Sequence, residues 1–204
     1  MGRCFRIHRI VRRFPVRHPN MDRRLPLTML MLMLMLMLLS LLLLLPSAFA
    51  GELSPSDAKA LREDVRAMMA AYARGDADFL IERTHPSLKR LAGGDDAFQA
   101  ITRDALKKQH NDGVVIISED VGVPTRTYAA GEEEVCFVPR QSLIRVRETP
   151  MRSTTFMVAV RRVGGSGWTY LDGTGLQGNP NLLRQLLPAL EPDVTLPKRE
   201  IEAL

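Results

Sequence analysis

The chain has 204 residues with 28 Lys and Arg against 23 Asp and Glu, a formal charge of +5. That excess sits in the first 50 residues, which hold eight Arg and one acid, Asp22, whereas residues 51–204 hold 20 basic and 22 acidic side chains. Residues 51–204 therefore carry no basic stripe for nucleic acid, and with Cys136 alone they allow no disulfide within the chain.

The first element is a leader, residues 1–50. Arg23 and Arg24 precede an apolar run from Met29 to Leu45 broken only by Ser40, and then come Pro46 and Ala48-Phe49-Ala50. A basic start, an apolar middle and small residues at both ends of a terminal triplet form the pattern of a cleaved secretory signal over 21–50, with the cut between Ala50 and Gly51. The rival is a retained membrane anchor, since a run of about 17 residues lies at the lower limit for a span. Residues 1–20 are rich in Arg and fit a misassigned start, with Met21 as the first residue. The expectation is a periplasmic or secreted protein that meets a membrane only during export.

Next, Ser54, Pro55 and Asp57 mark a helix start. Leu61, Val65, Met68, Met69 and Tyr72 recur at helical spacing on one face. Gly75 ends this helix, and Asp76 caps a short second helix. Residues 84–94, containing His85-Pro86, read as a loop. A third helix follows Gly94-Asp95, with Phe98, Ile101 and Ala105 as its inward residues and Asn111-Asp112-Gly113 as its end.

The period then changes to two. "VVIISEDVGV" (114–123), "EEEVCFVP" (132–139), "QSLIRVRE" (141–148), "STTFMVAVRR" (153–162) and "WTYLDG" (168–173) read as strands of an antiparallel meander. Asn179-Pro180 opens a tail helix with Leu182, Leu183, Leu186, Leu187 and Leu190 on its apolar face, and Pro188 weakens its end. Residues 191–204 read as an exposed, poorly ordered tail.

"MMAAYARGDADFLIERTHPSL" (68–88) gives this order more content. An aromatic and Gly-Asp at the end of the first helix (Tyr72, Gly75-Asp76), a His-Pro loop (His85-Pro86), a Gly before the third helix (Gly94) and an aromatic and acid on the last strand (Trp168, Asp172) are similar to the nuclear-transport-factor-two-like superfamily, also called SnoaL-like or cystatin-like. The small strand that many members place before the third helix has little room here. Over residues 55–175 the resemblance implies an α+β fold in which N-terminal helices pack within a curved antiparallel sheet, a cone-shaped barrel with a pocket. The domain then covers 51–178, and the C-terminal helix and tail, 179–204, are an addition. Members include isomerases, cyclases, dehydratases and hydrolases as well as proteins without catalysis, so the fold alone does not assign an activity.

Asp172 is the leading acid–base candidate, because a carboxylate among aromatic side chains is harder to ionise. His85 and Tyr128 are its candidate helpers, and Tyr72, Trp168, Tyr170 and Phe156 are the candidate pocket. Only His85 and His110 follow the leader, neither in a ligand pattern, so no metal and no cofactor is expected. No nucleophile elbow, phosphate loop or Cys-x-x-Cys motif is present. The expectation is a non-catalytic protein that binds a small apolar ligand or an envelope partner. The alternative is a small enzyme that uses Asp172. The tail helix is expected to dock on its own domain, with a homodimer as the other outcome.

Overall fold

The computed structural model describes residues 31–37, 51–176 and 179–204. Residues 31–37 are helical and belong to a unit of their own, 1–47, whereas residues 48–204 form one compact unit. Among the described residues no helix is long and apolar enough to cross a membrane. The rest of the apolar run, the cleavage motif and the Arg-rich start lie outside the described residues.

The compact unit is α+β. Four helices come first, α1 (Pro55–Arg74), α2 (Ala77–Arg83), α3 (Pro86–Leu91) and α4 (Asp95–Asn111). Strands β1 (Val114–Val121), β2 (Thr127–Ala130), β3 (Glu133–Val146), β4 (Thr149–Arg162) and β5 (Thr169–Asp172) follow, and then α5 (Gly173–Leu176), α6 (Pro180–Leu186) and β6 (Glu200–Ala203).

Local chemistry sets the helix ends. Ser54 accepts from the Asp57 amide at 3.1 Å and Asp76 from that of Phe79 at 3.2 Å, each meeting an amide that the first turn leaves free. Gly75 closes α1 at φ 71°, where a Cβ is strained. The stretch at 86–91, expected as a loop, is instead a helix. Its Pro86 occupies the first turn, which needs no amide donor, and the His85 ring accepts from the Ser87 amide as the cap. The inward face of α4 also differs from the expected one. Phe98 is buried and Leu106 packs on the core, but Ile101 is 55% exposed and Ala105 is exposed too.

The open antiparallel sheet is built on one long hairpin, β3–β4, paired from Glu133↔Arg162 to Val146↔Thr149. Two short strands share each outer edge of that hairpin. On β3, β1 pairs with Arg140–Val146 and β2 with Glu133–Cys136. On β4, β5 pairs with Met157–Val160 and β6 with Met151–Thr154. The two strands expected at 132–139 and 141–148 are thus one, which runs straight through Pro139. The Pro139 carbonyl accepts from the Gly122 amide at 2.8 Å, on the β1 side. In a strand a residue's N and O point the same way, so the missing Pro donor faces the gap between β1 and β2 and no β4 bond is lost. The tail also departs from expectation, because Glu200–Ala203 is ordered as β6.

Both faces of the sheet are covered. On one, Leu61, Val65, Met68 and Met69 of α1 pack on Val138, Met157, Ala159 and Tyr170. On the other, Leu183, Leu186, Leu187 and Leu190 pack on Phe137, Phe156, Val158 and Leu171. The tail leucines therefore dock on their own domain, on the face away from α1. Burying each such side chain is worth about 1.5–3 kcal/mol.

Candidate functional site

The α1 face of the sheet is apolar at one end and polar at the other. Directly opposed residues share a face, and the ladder sets Val121 opposite Arg140, Glu119 opposite Ser142 and Ser142 opposite Ser153. Near its start β1 places Val114 and Ile116 on this face, opposite Val146 and Ile144. Simple alternation would continue through Ser118. The register shifts between Ile116 and Ser118, so Ile117 is an extra residue and the face passes to Glu119 and Val121. The bulge thus brings Glu119 beneath α1 and α4.

A cavity of about 380 Å³ opens there between α4 and the sheet. Val114, Ile116, Ile144 and Ala105 supply its apolar wall, and Glu119, Arg140, Ser142, Ser153, Thr174 and Tyr72 its polar one. Lys108 and Gln109 of α4 and Asp112, which caps its end, complete it, with Lys108 and Asp112 joined at 2.6 Å.

Arg140 organises the polar wall and is 9% exposed. Its Nη2 donates to Asp172 Oδ1 and Thr174 Oγ1, each at 3.0 Å, and its Nη1 donates to Met69 Sδ at 2.7 Å. Nη1 also lies 3.5 Å from Glu119 Oε1, an ion pair too long to count as a good hydrogen bond. Both Glu119 oxygens, Arg140 Nε and the Thr155 hydroxyl are buried and make no well-formed hydrogen bond among the described residues; Ser142 and Arg140 reach Glu119 only by weaker polar contacts. Thr155 stands opposite Arg140 in the ladder, so these groups are neighbours on one face.

Burial raises the Glu119 pKa above its ordinary value; Ser142 and Arg140 oppose the rise and Asp172 adds to it. Burial also raises that of Tyr72, with a further push from Asp172, so the phenol stays a proton donor. A carboxyl group that is hard to ionise, beside a guanidinium and a phenol, can hold or move a proton on a bound molecule.

The residues singled out in the sequence divide between places. Asp172 is half exposed; besides holding Arg140 it accepts from the Thr174 amide at 2.8 Å, which makes it a cap for α5 as well as a site residue. Tyr72 lines the cavity. Tyr170 is buried on the same face, its hydroxyl donating to Asp64 at 3.0 Å. Trp168 is buried beneath the Arg161 guanidinium, 4.3 Å from the ring centroid. Tyr128 and Phe156 belong to the opposite face, each edge-on to Phe137. His85 is buried beside that face, with Nδ1 2.6 Å from Ser87 Oγ and Nε2 3.3 Å from Glu133 Oε1. Asp172, His85 and Tyr128 are therefore not brought together.

Two other cavities carry less chemistry. One of about 590 Å³ lies where α1, α2 and α4 meet, and its Arg74–Asp76 and Arg103–Asp78 pairs leave their charges matched. One of about 270 Å³ lies between His85, Glu133 and the tail leucines. Among the described residues no group of three or more His, Cys, Asp or Glu is placed to hold a metal ion.

Glu119 and Arg140 had escaped the sequence reading. Glu119 sits in "ISED", which looks like a solvated strand end, and Arg140 follows Pro139, which reads as a strand boundary. The one available hint was an acid and a base flanked by apolar alternation. Comparison of the chain with family models, with curated proteins and with solved structures finds no match.

Proposed function

We propose that this chain is an exported, cone-type α+β protein that takes up a small molecule with an apolar body and a polar end in the cavity between α4 and the sheet. One observation carries this reading. Glu119 and Arg140, two charged residues lining that cavity, bury polar atoms that make no well-formed hydrogen bond among the described residues. An unmet buried polar group costs about 1–3 kcal/mol, and a bound polar molecule is what offsets such a cost. The cone assignment draws on the order of helices before strands, on α1 and the cavity sharing one sheet face, and on the resemblance of residues 55–175. Export draws on the sequence of residues 21–50.

Native mass spectrometry of the protein isolated from its source is expected to show a small adduct. Ser153→Phe, which fills the cavity, should abolish it. An adduct that survives Ser153→Phe, or no adduct with either form, overturns the proposal. Amino-terminal sequencing of the exported protein should begin at Gly51; intact chains keeping residues 29–45 in the membrane fraction would overturn export.

The raised Glu119 pKa favours a second reading, a small enzyme of the same fold. Glu119, rather than Asp172, is then its general acid–base, with Tyr72 as a donor. Conversion of the adduct on incubation, lost in Glu119→Gln and kept in Cys136→Ala, would establish it; an unchanged adduct would exclude it.

A further inference from the structure

The charges around the cavity balance. Lys108 and Arg140 line it together with Glu119 and Asp112, and Lys108 and Asp112 are joined to each other at 2.6 Å. Just beyond the lining, half-exposed Asp172 accepts from Arg140, and Arg199 donates to the Thr174 carbonyl at 3.4 Å. These two add one charge of each sign. The buried centre of the arrangement is the Glu119–Arg140 pair, with side chains 14% and 9% exposed. That pair is left open. Its closest approach is 3.5 Å, the two Glu119 oxygens are acceptors without a well-formed bond, and Arg140 Nε is a donor without one.

We propose that the ligand of this cavity carries a neutral carboxamide on a short apolar group, and that this head bridges Glu119 and Arg140. The inference rests on the reading of the cavity as a binding site. A carboxamide has N–H donors and a carbonyl acceptor on neighbouring atoms. Its nitrogen can donate to Glu119 while its carbonyl accepts from Arg140, so one planar head serves both sides of the pair. An ammonium offers donors alone and a carboxylate acceptors alone, so either would meet one partner and leave the other. Either would also add a net charge beside a buried pair, where water and salt screen it little. An alcohol has a single oxygen for both functions and spans the two partners less well.

The rest of the wall fits the same head. Ser142 and Ser153 stand opposite each other on this face, and their hydroxyls can donate or accept as the amide requires. Val114, Ile116 and Ile144 give the alkyl group its apolar wall.

Thermal unfolding of the purified protein with butyramide, n-butylammonium, butyrate and 1-butanol at equal concentration tests the inference. Butyramide should raise the midpoint most, and Ser153→Phe, which fills the cavity, should abolish the effect. Glu119→Gln removes one carboxylate from the balanced set and leaves one cation in excess. Butyramide should then bind at least about tenfold more weakly, because it loses a charged acceptor, and butyrate should bind more tightly than in the parent. Stabilisation of the parent by n-butylammonium, butyrate or butanol as strongly as by butyramide overturns the neutral amide and leaves the cavity a binding site. A Glu119→Gln protein that answers all four probes as the parent does overturns the bridging of the pair. No effect of any probe also overturns the amide, and if no small molecule copurifies either, both readings fall.

Discussion

The two ends of the β3–β4 hairpin are built of the same paired backbone and do opposite things. From Val135 to Val138 and from Phe156 to Val160 every side chain is buried, between the α1 residues on one face and the tail leucines on the other. From Arg140 to Val146 and from Thr149 to Thr155 the α1 face carries Arg140, Ser142, Ser153 and Thr155, and the cavity replaces the close packing. Strand pairing sets the geometry at both ends, so the difference lies in what covers the face. Residues of α1 seal the apolar end, whereas α4 approaches the polar end and leaves a gap. The fixed end holds the frame against which unmet polar groups at the open end are tolerated.

The comparison breaks most readily at the packed end. A Cβ on Gly173 would fall on the Phe156 carbonyl and at 2.7 and 2.8 Å from its ring carbons. Both are fixed by the second core, so Gly173→Ala should cost about 3 kcal/mol of stability by urea unfolding. Cys136 probes the same end more gently. It is fully buried, and burial, with a smaller push from Glu134, raises its thiol pKa to about 12. Cys136→Ala should cost about 1 kcal/mol, and the native thiol should label slowly at neutral pH, because almost none is thiolate.

At the open end the sign reverses. Glu119 has a folded pKa above its unfolded value, so the folded state favours the protonated form. Its contribution to stability is complete below the unfolded pKa and is lost as pH rises through the folded one. Glu119→Gln should therefore gain about 1 kcal/mol at pH 8, and the gain should shrink in acid. A gain constant between pH 4 and 8 would mean that ionisation of Glu119 is not the cause. The contrast is sharpest if Cys136→Ala leaves ligand uptake unchanged while Glu119→Gln removes it.

Most of the packed end was legible in the sequence. Leu61, Val65, Met68 and Met69 read as one helix face because α1 packs by its periodicity, Ser54 and Asp76 cap through their side chains, and Gly75 ends the helix because it has none. The open end was not. The face that Glu119 takes depends on one extra residue at Ile117, and nothing in "VVIISEDV" marks which residue bulges. The continuity of β3 was hidden by Pro139, since a proline argues against a central strand until its neighbours on that edge are known. Asp172 was found as a residue but not in its role, because its partner Arg140 comes from a strand read as ending one position earlier. Phe156 reads as pocket lining beside Tyr170, and Tyr128 as a helper of Asp172, although the register sends Phe156 and Tyr128 to the face opposite Tyr170 and Asp172.

The ordered tail has a bearing on how the molecule behaves in a crowded compartment. Glu200–Ala203 is exposed along its whole length and pairs with Met151–Thr154, where β4 would otherwise end the sheet. An unpaired row of N–H and C=O groups invites another chain to add a strand. Here the outermost strand carries Glu200 and Glu202, with Glu202 3.7 Å from Arg152, so an approaching copy meets its own negative charge. Loss of residues 198–204 should leave α1 and its core intact but make the protein prone to self-association. That would be seen as concentration-dependent light scattering well below the unfolding temperature.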